Sequence, residues 1–148
     1  MGKIYIHYGH KHFDPNSFVE IKNTMWNKPA GGLWASDINA KYGWKSWCED
    51  ENFCECNKEN SFCFKLKEKS RILTINSHND LFQLPLESGV HEYINRLCLC
   101  IDFEKLAREY DAIELLLSED RRLYYDLYGW DCDSILILNK DCIEEIRG

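Results

Sequence analysis

No apolar run in this 148-residue chain approaches the roughly 20 residues that a membrane-spanning helix requires. The opening Met-Gly-Lys-Ile-Tyr-Ile-His-Tyr enters a strand pattern directly, without the apolar core of a signal peptide. Its sixth position is Ile6, not the Ser or Thr of a myristoylation start. These absences predict a cytoplasmic protein without a membrane partner. Positive charge is also in deficit: 25 acidic residues face 18 basic ones, for a formal net charge of -7. That argues against a protein held to nucleic acid by a bulk positive field, while leaving room for a local basic groove. No Gly-x-Ser-x-Gly elbow is present, which leaves a serine hydrolase without support. No strand-helix-strand unit carries a glycine-rich phosphate loop, so a doubly wound nucleotide fold is not expected. Repeats, low-complexity tracts and long linkers are missing as well.

What is present is a chain long enough for one domain, spanning 1–148, with a real core and many aromatic residues. Eight cysteines would suggest disulfides in a secreted protein, but nothing marks secretion. Cys63, Cys98, Cys100 and Cys142 lie in apolar surroundings and read as small buried hydrophobes. A zinc site from Cys48, Cys54, Cys56 and Cys63 is conceivable, but it lacks the two-residue gap of common zinc knuckles. Reduced thiols are the expectation, with no metal.

The pattern of elements is mixed. Lys3 to Tyr8 alternates as a first strand. Asp14-Pro15-Asn16 starts a short amphipathic helix running toward Met25. Lys28 to Gly32 is a close-approach turn feeding a strand from Gly32 to Ser36, and Trp44 to Asn52 fits a helix. Ser61 to Lys67 and Arg71 to Asn76 read as strands joined by the turn Glu68-Lys69-Ser70. Ser77 to Leu86 is a short helix and loop, and Val90 to Leu99 fits a helix. Asp102 caps a helix reaching Tyr110. Asp111 to Leu117 is a buried strand, Ser118 caps a helix running toward Tyr128, and Ser134 to Leu138 is the last strand. Short strands among short helices predict an α+β fold with a mixed, mostly antiparallel, split sheet.

Three constellations stand out. Asp131 and Asp133 flank Cys132 before the apolar strand, and an extended chain would place both carboxylates on one face. A carboxylate there can stabilise developing positive charge, and paired acids raise one another's pKa; a solvated turn is the plainer alternative. His7 and Tyr8 end the first strand just before Gly9, where a histidine reaches into a cleft as donor or acceptor. In Lys28-Pro29-Ala30-Gly31-Gly32-Leu33-Trp34-Ala35-Ser36, the paired glycines permit close approach of a ligand. Trp34 offers a flat ring, and Ser36 lies on the same side. Lys65, Lys67, Lys69 and Arg71 form a basic stripe, read as a solvated strand face.

In this order the constellations resemble the small ADP-ribosyltransferases, which share the diphtheria-toxin-like NAD-binding fold and include compact members from bacteria and their phages. The resemblance rests on motif order and spacing across nearly the whole chain. It implies NAD as substrate, transfer of ADP-ribose to a macromolecular acceptor (protein rather than nucleic acid) and release of nicotinamide. It assigns His7 to a ribose hydroxyl of NAD and Trp34 and Ser36 to the nicotinamide pocket, with Tyr8 and Gly32 also counted among the NAD-binding residues. Asp133 falls to the nicotinamide ribose and Asp131 to the accepting nucleophile. Tyr128 joins Trp34 and Tyr124 as a ring that could stack on the ligand, and backbone amides at Gly31 and Gly32, or Lys28, could meet the phosphates. Two departures are visible: aspartate stands where the family most often has glutamate, and an aromatic with serine stands where it commonly has tyrosine. An acidic, non-catalytic interaction protein on the same fold is the alternative that the net charge motivates.

Overall fold

The sequence Ser134-Ile-Leu-Ile is apolar after its first residue and carries two β-branched isoleucines, and it forms a strand buried on both faces. In the computed structural model the described residues are 3–24, 28–51, 58–85, 100–127, 130 and 132–146. The strands are β1 (Tyr5–Tyr8), β2 (Leu33–Asp37), β3 (Ser61–Leu66), β4 (Ile72–Ile75), β5 (Ala112–Leu115), β6 (Ser134–Ile137) and β7 (Ile143–Ile146). Among the described residues the α-helices are few and short: α1 (Trp44–Glu51), α2 (Phe103–Glu109) and α3 (Arg122–Asp126). The result is a mixed α+β domain. No helix among the described residues is long and apolar enough to cross a membrane.

The strands form one seven-stranded sheet in the order β4-β5-β6-β2-β1-β3-β7, rather than a split one. Every pairing is antiparallel except β4 with β5. Each face carries its own core. On one, Trp34, Ile113, Leu115 and Leu136 pack with Phe103, Leu106, Leu123 and Trp130. On the other, Tyr5, Ala35, Phe62, Phe64, Ile135 and Ile137 pack with Cys142 and Ile143. Ile135, Leu136 and Ile137 are fully buried, and each such side chain contributes about 1.5–3 kcal/mol.

Asp102 caps α2 as the sequence suggests, its carboxylate accepting the Lys105 amide. Several expectations are corrected. The helix anticipated from Asp14 is only a 3-10 turn at Pro15–Ser17. Beyond it the chain is extended, because its backbone is used elsewhere: Gly32 N donates to Val19 O, and Lys22 bridges Ala30. β3 and β4 follow one another in sequence but lie far apart in the sheet. The helix expected from Ser118 begins instead at Arg122, after a 3-10 turn at Leu117–Glu119. The readings of Cys54, Cys56 and Cys98 and the helix expected over 90–99 fall outside the described residues. Cys48, Cys100, Cys132 and Cys142 are buried thiols, Cys63 is half-buried, and no cluster able to hold a metal occurs among the described residues.

Candidate functional site

The strands that carry the three constellations are neighbours. β2, with Trp34 and Ser36, lies between β1, which carries His7, and β6, which Asp133 immediately precedes. Adjacency does not merge the side chains into one cluster. Alternation puts His7 and Trp34 on opposite faces. His7 lies against Phe62 at 5.2 Å between ring centroids, whereas Trp34 packs edge-on to Trp130 at 4.7 Å.

His7 reaches β2 through the backbone. Its Nδ1 is 2.7 Å from Trp34 O, and a carbonyl only accepts, so Nδ1 carries the proton and donates. Nε2 is then the acceptor, 3.3 Å from His10 Nδ1. Burial holds the His7 pKa below 6.5 and outweighs the Trp34 carbonyl, which favours the charged ring; His10 lowers it further. His7, Gly32 and Trp34 share a cavity of about 160 Å³ with His10, Phe13 and Phe62. Tyr8, half-buried, ends β1 on the opposite face from His7.

Gly32 belongs to this region for a reason other than ligand approach. It sits at φ 76°, and a Cβ there would stand 2.7 Å from Leu136 Cδ1 and 2.9 Å from Ile137 O. Its amide is already given to Val19 O at 2.8 Å, so it is not offered to a phosphate. Gly31, at φ 82°, would drive a Cβ into the backbone of Val19 and Glu20. The paired glycines therefore seat the chain's own preceding segment. Lys28 Nζ lies 5.1 Å from the centroid of the Trp34 ring, a cation–π distance.

Ser36 and Asp133 meet at the other end of β2. The Ser36 hydroxyl donates to Asp133 O and accepts from Trp44 N, both at 2.9 Å. It thereby ties the start of β6 to the first turn of α1, and Gly43 fits tightly against its Cβ. Asp133 is 4% exposed. One carboxylate oxygen accepts Ser118 N at 2.8 Å and the other accepts Ser118 Oγ at 2.6 Å. Asp133 N donates to Tyr42 O at 2.8 Å. A carboxylate offers about four acceptor positions, so Asp133 keeps capacity beyond the Ser118 clamp. Asp131 and Tyr128 lie outside the described residues, as does the side chain of Tyr124.

Asp133 and Ser118 line two cavities. One, about 300 Å³, adds Tyr42, Leu117, Arg121, Tyr125 and Cys132. The other, about 180 Å³, adds Lys3, Asp37, Lys41 and Glu114. Glu114 escaped the sequence reading, although a lone carboxylate in the apolar run Ala-Ile-Glu-Leu-Leu-Leu was a visible signal. It is buried, accepts Lys3 Nζ at 3.0 Å on one oxygen and the Tyr5 hydroxyl at 3.1 Å on the other. Burial, reinforced by the Glu114 charge, drives the Tyr5 pKa far above 10, so its phenol keeps the proton it donates. Lys3 and Glu114 also line a larger groove of about 680 Å³ with Lys65, Lys67 and Thr74. The expected sites thus resolve into a histidine-rich end, holding His7, Gly32 and Trp34, and a carboxylate end, holding Ser36 and Asp133. Compared with known proteins, the chain matches no family model, no curated protein and no solved structure.

Proposed function

We propose that this chain is an NAD-dependent ADP-ribosyltransferase that passes ADP-ribose to a macromolecular acceptor and releases nicotinamide. The observation that carries the reading is the strand order β6-β2-β1, which sets the segments bearing Asp133, Trp34 with Ser36, and His7 side by side although they are distant in sequence. In this reading Asp133 faces the nicotinamide ribose. Loss of nicotinamide leaves an oxocarbenium-like sugar, and a fixed carboxylate lowers the barrier to forming it. The Ser118 clamp fixes that carboxylate in advance, so little reorganisation is left for the reacting state. His7, neutral and with Nδ1 given to Trp34 O, would take a ribose hydroxyl at Nε2 in place of His10 Nδ1, now 3.3 Å away. The cavity beside it, about 160 Å³, suits one ring of the substrate rather than a whole dinucleotide.

The test is nicotinamide release from labelled NAD, with and without a lysate as acceptor, by wild type and by Asp133→Asn. The variant keeps the shape of the side chain and is expected to lose about 10²–10³ in rate. Folded wild-type protein that neither binds NAD nor releases nicotinamide would sink the proposal. One observation favours a second reading, an acidic non-catalytic interaction protein: both Asp133 oxygens already serve the fold through Ser118. That reading expects Asp133→Asn to keep the protein's partner binding intact.

A further inference from the structure

The cavity of about 300 Å³ beside Asp133 has a chemistry of its own. Its lining includes the apolar Leu117 and Cys132 and two aromatic residues, Tyr42 and Tyr125. Tyr125 is 79% exposed, an unusual placement for so large a ring. Tyr42 is held at two points: its hydroxyl donates to Asp50 at 2.8 Å, and its carbonyl accepts the Asp133 amide. That fixes one ring before any ligand arrives, which reduces the entropy lost on binding. The polar groups are unlike one another. Asp133 is an acceptor with positions left beyond its two Ser118 bonds, so it asks a ligand for N–H or O–H donors. Arg121 is exposed at the same cavity, and its planar, permanently charged fork suits a phosphate. A size at the lower end of ligand pockets calls for a small ring system.

We infer that this cavity is a nucleotide subsite: an amine-bearing base lies against Tyr42 and Tyr125 with its donors toward Asp133, and its phosphate meets Arg121. Flat rings without sequence demands are how proteins hold single bases, and a guanidinium at the edge supplies the charge complement. The protein's net charge of -7 does not oppose this, because one arginine serves one phosphate locally. The same chemistry is offered by a free mononucleotide and by a nucleotide within a single strand. The subsite shares Asp133 with the proposed transferase reading, yet the two are separable, since AMP binding is read without any reaction.

Calorimetric titration of the full chain with AMP, adenosine, a short single-stranded oligoadenylate and NAD separates these cases. Wild type is expected to bind AMP more tightly than adenosine. Arg121→Ala should erase that preference while keeping adenosine binding. Tyr125→Ala should weaken every ligand by about tenfold or more. Both positions are exposed, and thermal melts of the variants check the fold. Tighter binding of the oligoadenylate than of AMP assigns the subsite to a strand, and the reverse order assigns it to a free nucleotide. Binding by NAD alone would make the cavity part of the NAD site and overturn a separate subsite. Folded wild type that binds none of the four, or variants that bind them all unchanged, would also overturn it. Failure of NAD turnover with AMP binding intact would remove the transferase reading and leave the subsite standing.

Discussion

At the Tyr8 end of β1 the polar side chains are histidines open to water: His10 and His12 are exposed, and His7 is half-buried. At the Tyr5 end they are carboxylates shut inside, with Glu114 and Asp133 each 4% exposed. The two ends share β1, β2 and β6, with Glu114 added to the closed end from neighbouring β5, yet they hold charge by different means. The open end leaves much of its solvation to water, pairs the exposed His12 with Glu145 at 2.9 Å and keeps His7 neutral by partial burial. The closed end replaces water with named partners, Lys3 and Tyr5 for Glu114, and Ser118 for Asp133. A buried acceptor without its donors is expensive. Removing one member of the closed end therefore costs more than removing one member of the open end.

Asp133→Ala is the largest expected effect. It strips the Ser118 amide and hydroxyl of their acceptor and should cost about 2–3 kcal/mol, a fall in Tm of roughly 5–10 °C. His7→Ala is expected to cost less than half as much. Equal losses in a pair of thermal melts would break the comparison. Next comes Ser36→Ala, which leaves Trp44 N without its acceptor at the start of α1 and should cost about 1–2 kcal/mol by urea denaturation. An unchanged urea midpoint would mean that water or rearrangement replaces the hydroxyl.

The smallest effect is a pH dependence that belongs to the open end. His7 titrates below 6.5 in the fold, chiefly because burial penalises the charged ring. As pH falls through about 6.5 the unfolded chain takes up the proton first, so stability declines until folded His7 is itself protonated. Asp102, lowered chiefly by the Asn23 side-chain amide, acts only near and below its ordinary value of 3.8. Urea midpoints between pH 7.5 and 5.5 should therefore drift downward in wild type and less so in His7→Gln. An identical drift in the variant would place the titration elsewhere.

The apolar segments were readable because their signals are local. Ala112–Leu115 and Ser134–Ile137 are strands, and Asp102 caps its helix, because pattern and capping chemistry lie within a few neighbouring residues. Ser118 misled for the same reason. A serine before Glu119 and Asp120 has the look of a helix cap, but its amide and hydroxyl are taken by Asp133, fifteen positions away in sequence. Gly31 and Gly32 were correctly marked as close-approach residues, while the approaching group, Val19 and Glu20 of the same chain, is a tertiary fact. Glu114 had a visible signal, but its partners Lys3 and Tyr5 lie more than a hundred residues away.

By itself the sequence determined six of the segments that form strands, though not β7 or any pairing, where Asp102 starts a helix and which residues have the chemistry to serve a site. Periodicity, capping and side-chain type act over a turn or two of backbone. Only the tertiary structure decided that β1, β2 and β6 lie side by side, that His7 and the Trp34 ring occupy opposite faces, and that Asp133 is clamped beside an aromatic cavity. Strand order and burial are settled by which apolar faces cover one another across the whole chain. That is a global energetic choice that short-range pattern does not encode.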